Sequence, residues 1–153
     1  MVTAFRLVKT RYLATAWDGG GAKRAGGRWN SPGVAVVYTS ASLSLALVEV
    51  LVHLPSGILP AYSAIPVEFE DRLIVTLPAR QLPANWSVQP APVETRERGD
   101  AWVRSMESVV LKIPSVVVPT ESNYLINPGH PDFKRLKIGA PLAFPFDARL
   151  AGR

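Results

Sequence analysis

Two features of this sequence could do chemistry. The first is Gly19-Gly20-Gly21 followed by Ala22-Lys23-Arg24-Ala25-Gly26-Gly27-Arg28-Trp29-Asn30. Glycine lets backbone turn sharply or approach a ligand closely. Lys23, Arg24, Arg28 and an indole set among such glycines suit contact with an anion. The second is Glu49, embedded in Leu45-Ala46-Leu47-Val48-Glu49-Val50-Leu51-Val52. On a helix its same-face neighbours are Leu45, Ala46, Val52 and His53. An ionised carboxylate in such surroundings is costly unless it is paired or opens onto a cleft. Two readings stay open: an i,i+4 contact with His53 on an exposed stripe, or a carboxylate held rigidly and aimed into a site.

Taken together, these parts suggest one ligand. An arginine loop grips a pyrophosphate through bidentate contacts and backbone N–H groups. Tyr38, at the end of a strand, either stacks on an aromatic base or caps the core. A fixed carboxylate can hold a ribose hydroxyl and stabilise an oxocarbenium-like centre, as in glycoside chemistry. NAD offers pyrophosphate, aromatic base and a labile N-glycosidic bond in one molecule. Nicotinamide is a good leaving group, so electrostatic positioning suffices. The reading treats NAD as substrate and requires no metal or cofactor.

Other chemistries find little support. The glycines do not make a Rossmann fingerprint, because the position for the third glycine is Arg24 and no strand directly precedes the loop. No Gly-Lys-Ser/Thr closes a phosphate-binding P-loop and no G-x-S-x-G elbow is present. His53 and His130 are the two histidines, without metal-site spacing. There is no cysteine, which suits a reducing cytosol. No secretory signal is visible at the N-terminus, and the longest apolar stretch, 43–52, is too short to cross a bilayer. These features point to a cytoplasmic protein. The formal net charge of +5 favours anionic partners. The cations are dispersed, with Arg96/Arg98 and Lys134-Arg135/Lys137 as small local groups.

The elements that must position these residues follow from pattern. The 153 residues suit one domain, 1–153, and 14 prolines favour short strands and ordered loops over a helical bundle. Strands are expected at 2–8, with Arg6 opposite Phe5 and Leu7, and at 34–39, 62–69, 72–76, 109–113, 116–118 and 141–146. A helical turn is expected at 12–17, with the basic glycine stretch as a loop after it. Ser40-Ala41-Ser42 offers N-caps for a helix at 43–54, apolar nearly all round and therefore expected to be buried on several sides. Residues 77–93 read as a proline-rich surface excursion, and a short helix is expected from Gly99-Asp100 through Trp102 and Met106. Asn127-Pro128-Gly129-His130-Pro131 is a turn cluster. The sum is an α/β (α+β) domain, a mixed and mostly antiparallel sheet with few helices.

The chain also resembles a known family. Phe5-Arg6-Leu7, Gly26-Gly27-Arg28-Trp29-Asn30-Ser31-Pro32-Gly33, Val37-Tyr38-Thr39-Ser40, the Glu49 helix, Pro114-Ser115 and Asn123-Tyr124-Leu125-Ile126-Asn127-Pro128-Gly129-His130-Pro131 resemble, in order, the RES-domain toxins. The resemblance implies a fold related to ADP-ribosyltransferases and a toxin of a type II toxin–antitoxin pair that degrades NAD by hydrolysis or phosphorolysis. It also implies, as an alternative, ADP-ribose transfer to a protein. The arginine, glutamate and serine of the family name would be Arg28, Glu49 and Ser115, with Ser122 a rival for the last. Arg28 and Arg6 would bind phosphates or the nicotinamide ribose, and Tyr38 would pack against nicotinamide. Glu49 would stabilise the developing cation. Asn123 and Asn127 would donate to the substrate, although both also suit turn-stabilising bonds.

The implied partner is an antitoxin with an Xre-like helix-turn-helix domain, so that DNA is met only through it. Its carboxylates would enter the basic cleft near Arg28. A homodimer within that complex is possible, since the apolar helix and the Trp102 region leave room for an interface. From a different class, a small basic chain can be a nucleic-acid-binding module or a ribonuclease, which predicts steeply salt-dependent binding. Few aromatics are interleaved with the cations apart from Trp29.

Overall fold

The computed structural model describes residues 1–152. Strand β1 (Val2–Lys9) lies near the middle of the sheet and pairs antiparallel with β3 (Tyr62–Phe69) along its whole length, from Val2↔Phe69 to Lys9↔Tyr62. On its other side it meets β2 (Val37–Ser40) through a single register pair, Phe5↔Ser40. From β2 the sheet continues antiparallel to β6 (Ser122–Ile126) and β5 (Val110–Pro114), then parallel to β4 (Ile74–Thr76). The outer edge of β3 carries β7 (Lys137–Ile138) and β8 (Leu142–Phe144). The fold is thus the mixed, mostly antiparallel α+β arrangement expected, and its one parallel pair is joined through a helical crossover, as parallel strands require.

Alternation along the strands makes two buried faces. One carries Ala4, Val37, Val67, Phe69, Val110 and Ile126. The other carries Leu111, Ile113 and Leu125 beneath Trp29 and Trp102. Helix α2 (Leu43–Leu51) packs its Ala46 with Leu7, Tyr62 and Ala64. Ser42 caps it, its Oγ accepting from Leu45 N at 3.1 Å. The helix is less enclosed than its composition suggests. Leu45 and Ala46 are buried, its other aliphatics are only partly so, and Val52 just beyond it is 55% exposed.

Three local expectations are corrected. The glycine stretch is not all loop: α1 spans Gly20–Ala25, started by Asp18 Oδ1, which accepts from Gly20 N at 2.7 Å. The β-prone 116–118 segment is a turn rather than a strand. Ser115 Oγ accepts from Val117 N and Val118 N at 3.1 and 3.0 Å, and a hydroxyl that captures backbone donors diverts them from a ladder. The strand forms instead as β6, whose Asn123 reads as a turn former. Helix α3 (Val93–Ser105) also starts well before Gly99.

Helix α3 and the glycine loop touch backbone to backbone. A Cβ at Gly99 would overlap the Trp29 carbonyl, so only glycine permits the approach. One residue on, Asp100 Oδ1 accepts from Ser31 N at 2.9 Å. Trp102 lies in the protein's own core at 1% exposure, its indole N–H donating to Ser108 Oγ at 2.9 Å, so it offers no interface to a second copy.

Gly99→Ala should therefore lower stability by about 2–3 kcal/mol, a drop in Tm of roughly 5–10 °C for a chain of this size. Gly21→Ala, on α1 with open space where its Cβ would go, should change stability by less than about 1 kcal/mol and in the favourable direction. Thermal melts followed by circular dichroism compare the two. Coincident melts would rule out the close docking of α3.

Candidate active site

Where β1 and β2 part, a cleft of about 750 Å³ opens, lined by Arg6, Arg28, Tyr38, Glu49, Arg96 and Asn123 among others. Clefts of this volume suit small-molecule ligands. Helix α2 presents Glu49 from one wall. Ser115, in the turn after β5, donates its hydroxyl to Glu49 Oε1 at 2.8 Å. That one hydroxyl therefore holds the carboxylate while accepting two backbone N–H groups of its own turn. Glu49 Oε2 makes no hydrogen bond among the described residues. His53, the alternative partner for Glu49, lies on the cleft rim, exposed and beyond the end of α2.

The glycine loop is built around Tyr38. The Tyr38 hydroxyl donates to Asn30 Oδ1 at 2.6 Å and accepts from Trp29 N at 3.2 Å. Asn30 in turn donates to the carbonyls of Ala22 and Val34, at 2.8 and 2.9 Å. Gly27 leaves room for this knot, since a Cβ there would come within 2.7 Å of the Tyr38 hydroxyl. Burial raises the Tyr38 pKa, so the side chain is a neutral phenol at physiological pH.

The two expected arginines behave differently. Arg6 donates through Nε to the Ala16 carbonyl at 2.6 Å and through Nη1 to the Tyr38 carbonyl at 3.1 Å. Burial lowers its pKa to about 10, partly opposed by the charge of Asp18, so it remains a cation at neutral pH. Arg28 donates through Nη1 to the carbonyls of Trp86 and Val88, at 3.0 and 2.8 Å. Its pKa is lowered by loss of solvent, against the favourable charge of Glu49. The proline-rich excursion that Arg28 grips brings Gln89, Pro90 and Ala91 onto the cleft wall.

Of the residues marked in the sequence, Arg6, Arg28, Tyr38, Glu49 and Asn123 converge on this cleft. Asn123 Oδ1 accepts from Ser40 Oγ at 2.8 Å, while its amide N–H groups make no hydrogen bond among the described residues. Ser115 is the serine that meets Glu49, and Ser122 is not. Ser115 is fully enclosed, however, which makes it a support for the carboxylate rather than a group open to substrate. Asn127 lies away from the cleft. Its amide donates to the Val103 carbonyl at 3.3 Å and its oxygen accepts from Gly129 N at 2.9 Å, which is the turn-stabilising alternative. Lys23 and Arg24 are exposed and do not line the cleft. Sequence reasoning missed Asn30 and Arg96. Only the basic pair Arg96/Arg98 hinted at the latter.

The fold and the cleft define an α+β domain whose one cleft carboxylate among the described residues shares the cleft with three guanidinium groups, a class suited to anionic ligands. The RES domain family profile matches residues 3–147. The Toxin Res of Yersinia enterocolitica is 44% identical over 148 residues, covering 95% of this chain and 97% of that protein. The Prs ADP-ribosylating toxin of a Sphingobium species is 38% identical, with 98% of each chain covered. In the crystal structure of the M. tuberculosis MbcT–MbcA toxin–antitoxin complex, one chain superposes with a TM-score of 0.72 at 18% identity, over 94% of this chain and 84% of that one. The chain belongs to the RES-domain family of toxins.

The Ser115 bridge makes a stability prediction. Ser115→Ala removes the acceptor of two half-buried backbone N–H groups and the donor to Glu49, and should cost about 1–2 kcal/mol. Glu49→Gln keeps a carbonyl oxygen that can still accept from Ser115 and should stay within about 0.5 kcal/mol of wild type. Urea denaturation of both variants measures the contrast, and equal midpoints would deny the bridge its structural part.

Proposed function

We propose that this toxin cleaves the nicotinamide–ribose bond of NAD in the cytoplasm. The observation that carries the reading is Glu49, fixed through Oε1 by Ser115 and free at Oε2, in a cleft it shares with Arg28 and Tyr38. A dinucleotide would lie with its pyrophosphate against guanidinium groups and its nicotinamide ribose over Glu49. As the bond between ribose C1′ and the nicotinamide nitrogen breaks, its electron pair goes to nicotinamide and positive charge develops on the sugar. The carboxylate stabilises that charge without having to reorient. An oxygen of water or phosphate then bonds to C1′ and gives up its proton to solvent or buffer. The neutral Tyr38 phenol forms an uncharged surface for the departing ring.

Purified protein free of antitoxin should release nicotinamide from NAD, with or without phosphate, and Glu49→Gln should slow release by about a hundredfold or more. Absence of release under both conditions would end the proposal, and an active Glu49→Gln variant would end the site assignment. A second reading, transfer of ADP-ribose to a protein, is favoured by the name of the Sphingobium relative. Labelled NAD would then mark a macromolecule in lysate instead of being consumed freely.

The related complex of toxin and antitoxin supports an antitoxin for this chain too, and the antitoxin we propose carries an Xre-like DNA-binding domain. Its acidic segment would compete for the cleft cations. Arg28→Ala should weaken the antitoxin complex by at least about tenfold, in line with loss of a charged pair at an interface. Isothermal titration measures this, and unchanged affinity would place the antitoxin elsewhere.

A further inference from the structure

The cleft contains a third guanidinium, and its hydrogen-bonding state differs from the other two. Arg6 and Arg28 each spend donors on protein carbonyls. Arg96, on α3, lines the same cleft, yet its Nε is buried with no hydrogen-bond partner. No ion pair or hydrogen bond engages its guanidinium among the described residues. The acidic groups of its own helix do not satisfy it. Glu94 Oε2 accepts from Asn85 at 3.0 Å, Glu97 is exposed, and Asp100 Oδ1 accepts from Ser31 N.

A buried guanidinium N–H without an acceptor is costly. This one cannot easily swing away, because the next turn of α3 is clamped to the glycine loop by Gly99 and Asp100. The charge of Arg96 is also felt at Tyr38, in the middle of the site. An oxyanion in the cleft would give this otherwise unpartnered guanidinium acceptors at its Nη groups, whose planar fork matches two phosphate oxygens.

We propose that Arg96 is the principal phosphate receptor of the cleft, binding the pyrophosphate oxygens of the substrate while Arg6 and Arg28 mainly hold the walls in place. The inference rests on the reading of the cleft as a dinucleotide site and assigns its anion-binding residue.

The test is titration of inorganic pyrophosphate and of ADP-ribose into antitoxin-free protein, comparing wild type with Arg96→Met, Arg96→Lys and, as a control on the same helix but outside the cleft, Arg98→Met. Arg96→Met keeps the buried stem, should melt no lower than wild type without ligand, and should bind both anions at least about tenfold more weakly. Arg96→Lys should recover part of the loss, and Arg98→Met should bind within about twofold of wild type. Wild-type affinity in Arg96→Met overturns the inference, as does an equal loss in Arg98→Met. If wild type binds neither anion, the inference falls. If pyrophosphate binding depends on Arg96 while NAD is not cleaved, the inference stands and the reading as an NAD-cleaving enzyme falls.

Discussion

The site depends on a place where the sheet fails to close. Strands β1 and β2 are neighbours, but after Phe5↔Ser40 they diverge. Continuing that register would set Leu7 against Tyr38, with the Tyr38 carbonyl bonded to backbone. That carbonyl instead accepts from the Arg6 guanidinium, whose Nε reaches the Ala16 carbonyl on the far side. A buried backbone acceptor must find a donor, and a guanidinium can serve several acceptors at once. Arg6 thus pins the two halves of the sheet where their ladder has run out, and the separation becomes the cleft. The depressed pKa of Arg6 follows from the same placement: its cation has left water to do what main-chain donors would otherwise have done.

Around that opening, each side chain is oriented by an element other than the one that bears it. Glu49 comes from α2 and is held by a hydroxyl from the turn after β5. Tyr38 comes from β2 and is held by Asn30 and the Trp29 amide of the glycine loop. The loop is fixed in turn by α3 through Gly99 and Asp100. Such cross-bracing restricts relative positions, and positioned charge must be held to within about half an ångström to act on a reaction. It also explains the conspicuous glycines. Gly27 and Gly99 are sites where other atoms occupy the space a side chain would need.

Much of this was legible in the sequence, and the losses have physical causes. Strands β1 and β3 were marked by their apolar and β-branched runs, and Glu49 stood out as a carboxylate set among aliphatic residues. The strand β6 was hidden because Asn123 within it and Asn127 just after it carry turn propensity, while the segment 116–118 carries strand propensity. Tertiary context reversed both: the first is enclosed between β5 and β2, and the second has its donors taken by Ser115. Arg96 was hidden because a cation on an amphipathic helix looks like a solvated one until its neighbours are known. The division of labour among the arginines is likewise invisible in one dimension, since carbonyl acceptors such as those of Trp86 and Val88 leave no mark on residue type.

Arg28 shows why that division matters. Its Nη1 holds two carbonyls of the proline-rich excursion, and residues 89–91 of that excursion form part of the cleft wall. If an anion took Nη1, the wall would lose its anchor. If Arg28 keeps the carbonyls, its other N–H groups remain for the cleft with a charge that Glu49 favours. A guanidinium holding both carbonyls through Nη1 keeps Nη2 and Nε in a planar fork for an anion, whereas an ammonium bound to two carbonyls would have a single N–H left. This is the physical reason for arginine rather than lysine at position 28. It follows as well that the wall and the charge of this cleft are set by the same side chain, so neither can be altered there without the other.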